Sequence, residues 1–174
     1  KIDDILDPCH QKGIVGDMEE GLITAEEFRA AVLKDARPGA RPEEVDDAFM
    51  HILAGIPSYK GQLLNHLAKS YDIYILSNNN PIVSSHMSEL FAGVGVDYEN
   101  VFKKSFLSFE MKALKPSEAF YKRVLEQIDC PVEDLLFIDD SQKNVDGALA
   151  AGLPSVYYDP ATDLAALLAD VLGD

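Results

Sequence analysis

Basic side chains are scarce in this chain of 174 residues. Lysine and arginine together number 15, against 30 aspartates and glutamates, which gives a formal net charge of −15. A nucleic-acid partner needs clustered basic side chains to neutralise its phosphates, and because no such cluster stands out, no nucleic-acid partner is expected. An anionic substrate would need a local cation, either a metal ion or a placed lysine, inside this repulsive field.

Cysteine and long apolar runs are rare as well. The chain has 2 cysteines, Cys9 and Cys130. So few in a chain of this size favour reduced thiols in a cytoplasmic protein over a disulfide framework. No apolar stretch is long enough to span a bilayer, so no membrane partner is expected. Hydrophobic residues nevertheless make up 47% of the chain, which is enough for a packed core.

The hydrophobic pattern changes near residue 57. Residues 1–57 show helical spacing and no convincing strand, and Thr24-Ala-Glu-Glu27 has the form of a capping box that opens a helix. Residues 58–174 alternate helical segments with short apolar runs. These runs lie at 73–76, 104–107, 135–138 and 155–158. Such alternation predicts right-handed βαβ units, so the expected fold class is α/β, with a doubly wound parallel sheet and a small all-helical domain before it.

Polar residues follow the predicted strands, where parallel sheets bind their ligands. Ser77 and Asn78 come directly after the first strand, so a hydroxyl and a backbone N–H could face a ligand oxygen. The alternative is a turn in which Asn80 caps the next helix ahead of Pro81. Taken alone, this cluster fits the helix cap better than a binding site.

Two further clusters carry charge. Lys115 precedes Pro116 at the start of a predicted helix, where it could neutralise a phosphate or could be a solvated surface lysine. Asp139 and Asp140 end another strand, and two adjacent carboxylates need a cation or strong donors to stay ionised together. Mg²⁺ takes oxygen ligands of this kind, whereas the alternative is an aspartate that caps the following helix.

The order of these clusters resembles the second, third and fourth motifs of the haloacid dehalogenase superfamily. In that order stand Ser-Asn after one strand, Lys-Pro opening a helix, and Asp-Asp-Ser after the next strand, followed by an Ala/Gly-rich helix. The stretch 19–28 is similar to cap sequences of sugar-phosphatase-like members. The resemblance therefore makes residues 1–57 a small helical cap and residues 58–174 the α/β hydrolase core.

The resemblance implies a Mg²⁺-dependent phosphatase that acts on a small phosphorylated metabolite, with a sugar phosphate as one candidate, through an aspartyl-phosphate. By motif position, Ser77 and the backbone of Asn78 hold the phosphoryl group and Lys115 neutralises it. Asp140 ligates Mg²⁺, with Asp139 beside it. These clusters are then expected within a few ångströms of one another at one end of the sheet.

Two residues are assigned to substrate binding by the same resemblance. Asn144 stands where many members place a further polar group, and His10 lies in the segment that resembles the cap, which faces the site and helps to select the substrate. Two alternatives remain. A 2-haloacid dehalogenase would need no metal and would lack the acidic pair, and a non-catalytic binding module would have lost its nucleophile.

The first motif of the family, an apolar strand that ends in Asp-x-Asp, is missing. The nearby acids Asp3, Asp4 and Asp7 have no apolar strand before them and fit a helix surface instead. The absent strand would lie inside the sheet, and without it two neighbouring strands would expose unpaired edges. We therefore expect a protein about 25–30 residues longer, whose N-terminal segment supplies this strand and the nucleophilic aspartate.

Overall fold

The computed structural model describes residues 13–51, 53 and 55–173, which fall into two compact units, Lys1–Lys112 and Ala113–Asp174. Within these described ranges, no helix has the length and apolar character needed to cross a bilayer. The two units divide between Lys112 and Ala113, which lies inside the expected core. This division does not test the expected boundary between cap and core at residue 57, which stays a prediction.

The described part of residues 1–57 contains helices and no strand, as expected. The helices of this part are α1 (Gly13–Glu19), α2 (Ala25–Lys34) and α3 (Pro42–Met50). The predicted capping box is confirmed, because the Thr24 hydroxyl accepts a bond from the Glu27 amide and the Glu27 carboxylate accepts one from the Thr24 amide. Met18 and Phe28 pack with Ile82 into one buried apolar cluster, so these helices share a core with the α/β part of the unit.

A pair of parallel strands follows in the same unit. The remaining elements are α4 (Ser58–Leu67), β1 (Ile73–Ser77), α5 (Pro81–Ser84), α6 (Met87–Ala92), α7 (Tyr98–Val101), β2 (Phe102–Leu107) and α8 (Ser108–Met111). Ser77 pairs with Leu107, so both strands end at the same level. The polar residues that follow β1 therefore lie beside the start of α8.

The second unit repeats the pattern on a smaller scale. Its elements are α9 (Glu118–Leu125), a 3-10 turn (Val132–Asp134), β3 (Phe137–Asp139), α10 (Gln142–Ala150), β4 (Ser155–Tyr157) and α11 (Leu164–Leu172). β3 and β4 are parallel, with Phe137 opposite Ser155 and Asp139 opposite Tyr157. Phe120, Tyr121 and Val124 on α9 are buried in this unit.

The predicted α/β class and the parallel pairing are confirmed, with differences in detail. The strand expected over 135–138 begins only at Phe137. The 3-10 turn lies just before it, and Leu135 is the C-cap residue of that turn and not the first residue of the strand. The helix after Asn80 is two short helices instead of one. In the described residues the strands form two two-stranded sheets, β1 with β2 and β3 with β4.

Candidate functional site

A buried ion pair is the central feature of the second unit. Lys115 Nζ lies 2.6 Å from Asp139 Oδ2, and the two residues are only 8% and 9% exposed. The ammonium group also lies 5.3 Å from the centre of the Phe137 ring. Removing one partner of such a pair leaves an uncompensated buried charge, which costs about 3–5 kcal/mol. The interpretation of Lys115 as a solvated surface lysine is therefore wrong.

The second oxygen of the Asp139 carboxylate is held by the start of α10. Asp139 Oδ1 accepts hydrogen bonds from the Ser141 backbone N–H at 2.8 Å and from the Asn144 side-chain amide at 2.9 Å. Ser141 is the N-cap residue of α10, so Asp139 bonds the entry to this helix from outside it. Both carboxylate oxygens thus have donors, and Asp139 joins β3, α10 and the segment before α9.

Tyr121 supports this arrangement from α9. Its hydroxyl donates to the backbone carbonyl of Asn144 at 2.7 Å, so Asn144 bonds Asp139 with its side chain and Tyr121 with its main chain. Burial, together with the nearby charge of Asp139, raises the pKa of Tyr121 well above its ordinary value. The phenol therefore remains a neutral donor across the physiological pH range.

α10 also lies very close to the chain around Lys115. A Cβ atom at Gly147 would stand 2.4 Å from the carbonyl oxygen of Pro116, closer than real Cβ atoms come. The glycine therefore allows the helix that carries Asn144 to approach the segment that carries Lys115. This close packing explains why a small residue occupies the middle of α10.

Asp140 differs from its neighbour because its side chain is exposed. It follows Asp139 at the end of β3 and is followed by the cap of α10. Among the described residues, no group of three or more histidine, cysteine, aspartate or glutamate side chains could hold a metal ion. The two adjacent carboxylates nonetheless offer the hard oxygen donors that Mg²⁺ takes in proteins, usually together with waters and substrate phosphate.

The loop after β1 is the corresponding feature of the first unit, and it is uncharged. Ser77 is half-buried, and its hydroxyl lies 3.3 Å from the Asn78 carbonyl oxygen. Asn80 accepts bonds from the backbone N–H groups of Ile82 and Val83, both at 3.1 Å, so the predicted cap on the next helix is confirmed. The side chain of Asn80 forms this cap, so the cap does not conflict with the roles predicted for Ser77 and Asn78.

Asn79 and Ser108 hydrogen-bond this loop to the start of α8. Asn79 is buried, and its side chain donates to Met87 Sδ and accepts a bond from the Asn80 backbone N–H. Its own backbone N–H donates to Ser108 Oγ at 3.0 Å. The sequence reasoning missed Ser108, although the signal was present: Ser108 follows β2 directly, just as Asn78 follows β1.

The predicted site residues are thus distributed over both units. Lys115, Asp139 and Asn144 are brought together in the second unit, as the sequence predicted for the first two. Ser77 and Asn78 lie in the first unit, so their proximity to that cluster stays a prediction. His10 lies outside the described residues.

Comparison with known proteins gives consistent results. The sequence model of the haloacid dehalogenase-like hydrolase family matches residues 12–152. A D-ribitol-5-phosphate phosphatase of Bacteroides thetaiotaomicron is 30% identical over 141 residues, which are 80% of this chain and 68% of that protein. A predicted HAD-like family hydrolase of Porphyromonas gingivalis has a TM-score of 0.85 at 29% identity, covering 99% of this chain and 83% of that one.

A further solved structure contains ligands. It is a wild-type HAD family enzyme from Bacteroides thetaiotaomicron in complex with magnesium and inorganic phosphate. Its TM-score with this chain is 0.80 at 30% identity, and the match covers 91% of this chain and 80% of that one.

Proposed function

Since this chain belongs to the haloacid dehalogenase-like hydrolases, we propose that it is the greater part of a Mg²⁺-dependent phosphatase for a small phosphorylated metabolite. The observation that carries the proposal is the buried Lys115–Asp139 ion pair with Asp140 next to it. A phosphatase needs a fixed positive charge for the phosphoryl group and carboxylates for a cation, and this cluster contains both.

Each residue of the cluster has a distinct proposed role. Lys115, held by Asp139, neutralises charge on the phosphoryl oxygens and orients the attacking carboxylate. Asp140, with Asp139 beside it, would hold Mg²⁺, which would offset the negative charge on the phosphoryl group. Asn144 keeps Asp139 in place, and its predicted contact with substrate stays a prediction, as does that of His10.

Ser77 and Asn78 are proposed to bind the transferring phosphoryl group by a hydroxyl and a backbone N–H. This part of the proposal rests on the family resemblance and on the half-buried position of Ser77 at the end of β1. The nucleophile is an aspartate carboxylate that attacks phosphorus and releases the alcohol, after which water hydrolyses the acyl phosphate.

That aspartate is proposed to come from an N-terminal segment of the same protein. Among the described residues, β1 pairs with β2 alone and β3 with β4 alone. Each pair therefore leaves strand edges whose backbone groups, if buried without partners, cost about 1–3 kcal/mol apiece. The intact mass and N-terminal sequence of the natural protein test this point, and a mature start at Lys1 in an active enzyme would contradict it.

The proposed substrate class is a phosphorylated sugar or sugar alcohol. The support is the 30% identity to a protein whose name gives D-ribitol 5-phosphate as its substrate, together with the sugar-phosphatase-like stretch at 19–28. A panel of D-ribitol 5-phosphate, a hexose 6-phosphate and glycerol phosphate measures this directly. Phosphate release from none of them, in an enzyme active on an aryl phosphate, would contradict the substrate class but not the reaction.

Hydrolysis of an aryl phosphate by the full-length protein tests the reaction itself. Activity should require Mg²⁺, and Asp140→Asn should remove most of it because the exposed carboxylate would lose its charge. Asp146→Asn, an exposed aspartate on α10, is the matched control and should remain active. Equal turnover in excess chelator would reject the phosphatase and favour the 2-haloacid dehalogenase, whereas no turnover of either substrate class would favour the non-catalytic module.

A further inference from the structure

Ser108 connects three parts of the first unit through one side-chain oxygen. The residue is fully buried, at 0% exposure, at the start of α8. Its Oγ accepts the Asn79 backbone N–H at 3.0 Å and lies 2.6 Å from the carbonyl oxygen of Glu19 and 3.0 Å from that of Asn79. A buried hydroxyl on α8 with partners on α1 and in the loop after β1 constrains these three elements at once.

The single proton of a hydroxyl decides how these contacts are used. Ser108 can donate to only one carbonyl at a time, and the Glu19 oxygen is the nearer acceptor. The bonds then form a chain from the Asn79 N–H to the Ser108 hydroxyl and on to the Glu19 carbonyl. Each bond in such a chain polarises the next, so the loop and the end of α1 hold each other through Ser108.

A second observation fixes the same end of α1 on α8. Lys112 Nζ donates to the Gly21 carbonyl at 2.6 Å. Gly21 has φ +69°, and a Cβ atom there would stand 2.3 Å from the Phe109 carbonyl oxygen. The turn after α1 therefore lies directly against α8, and its position determines where the Glu19 carbonyl meets Ser108.

We propose that Ser108 is a positioning residue for catalysis, holding the backbone of Asn79, and with it Ser77 and Asn78, against the end of α1. The proposal rests on the proposed function, because it gives the Ser77 loop the task of binding the phosphoryl group. A backbone N–H that meets a phosphoryl oxygen must be placed to a fraction of an ångström, and Ser108 bonds the residue next to that N–H.

Ser108→Ala in the full-length protein is the direct test. We expect kcat for an aryl phosphate to fall about 10- to 100-fold with little change in KM, because a displaced loop weakens transition-state contacts most. Exchange of the Asn79 amide proton, followed by NMR, should quicken about tenfold, as expected for one lost hydrogen bond. Ser105→Ala is the matched control, since Ser105 lies on β2 and its hydroxyl bonds Tyr98 instead.

A second pair of variants keeps Ser108 and serves if Ser108→Ala does not fold. Gly21→Ala forces the turn away from Phe109 and Ser108, whereas Gly39→Ala carries the same penalty of a positive φ with nothing within 4 Å of the new Cβ. Lower kcat and faster Asn79 exchange in Gly21→Ala alone would support the positioning role. Unchanged kcat in the folded Ser108→Ala or Gly21→Ala protein would overturn it.

Ser77→Ala separates this inference from the proposed function. If Ser77→Ala abolishes activity while Ser108→Ala retains full kcat, the positioning role is wrong and the site assignment stands. If Ser77→Ala is fully active, the loop does not bind the phosphoryl group, and the site assignment and the positioning role fail together.

Discussion

The polar clusters around Ser108 and around Asp139 contain different kinds of chemical group. The cluster around Ser108 joins uncharged amides and one hydroxyl, whereas the cluster around Asp139 is an ion pair of two charged side chains surrounded by donors. Both follow a short parallel strand, so the same position in the fold supports two kinds of chemistry. The neutral cluster can fix a backbone, while the charged one can also provide the field that a phosphoryl group needs.

Removing the positive charge should have the largest effect. Lys115→Met leaves the Asp139 carboxylate buried without its counter-ion, and the free energy of unfolding should fall by about 3–5 kcal/mol, with loss of phosphatase activity. Urea denaturation measures this. Adding Asp139→Asn should restore most of the stability without restoring activity.

Lys122→Met is the matched control for that experiment. Lys122 forms an exposed pair with Glu118 one turn away on α9, and exposed pairs of this kind contribute little. A loss of stability in Lys122→Met as large as that in Lys115→Met would mean that burial of the ion pair is not what matters.

Gly147→Ala should reveal how tightly the charged cluster is packed. Helix propensity alone predicts that alanine stabilises α10 by about 1 kcal/mol. The close contact with the Pro116 carbonyl oxygen predicts the opposite. The free energy of unfolding should fall by about 1–3 kcal/mol, because the new Cβ must push α10 away from the segment that carries Lys115. The sign of the change in urea denaturation decides between these two predictions.

The neutral cluster should respond more weakly to the loss of a single cap. Asn80→Ala removes the acceptor for two backbone N–H groups at the start of α5 and should cost about 1–2 kcal/mol. Asn80→Gly should cost only about 0.3 kcal/mol, since glycine is tolerated at this position. Equal losses for both substitutions would show that side-chain packing, and not the cap, explains the effect.

The smallest effect should appear only at alkaline pH. The pKa of Tyr121 is raised in the folded protein, so folding favours the protonated phenol. Its contribution to stability is complete below the unfolded pKa, near 10, and is lost as the pH rises above that value. Tyr121→Phe should therefore flatten the fall in stability above about pH 10, and urea denaturation at a series of alkaline pH values measures this.

Much of the fold could be predicted from local patterns. The capping box at Thr24, the places of the strands along the chain and their alternation with helices depend on residues close together in sequence. The start of β3 could not be placed correctly, because Leu135 is as apolar as the residues that enter the strand. In the structure the 3-10 turn after Pro131 runs to Asp134, and pairing with β4 begins at Phe137.

The residue types of the site could be predicted from the sequence, but the contacts between its residues could not. The chemistry of Lys115 and Asp139 is visible in the sequence, yet the burial of Lys115 depends on a partner far along the chain. Ser108 was missed for the same reason, since its partners on α1 and in the loop after β1 are distant in sequence. Periodicity describes one element at a time, whereas these bonds form between elements.

The position of Ser108 in the chain also bears on how the protein is made. All the residues that bond its hydroxyl precede it, so the neutral cluster is complete in sequence once α8 has left the ribosome. The charged cluster is complete in sequence only after Asn144, and β3 can pair with β4 only when residues 155–157 emerge. Because domains generally fold as units from the N-terminus during synthesis, the loop of Ser77 should take shape while Lys115 still lacks its counter-ion.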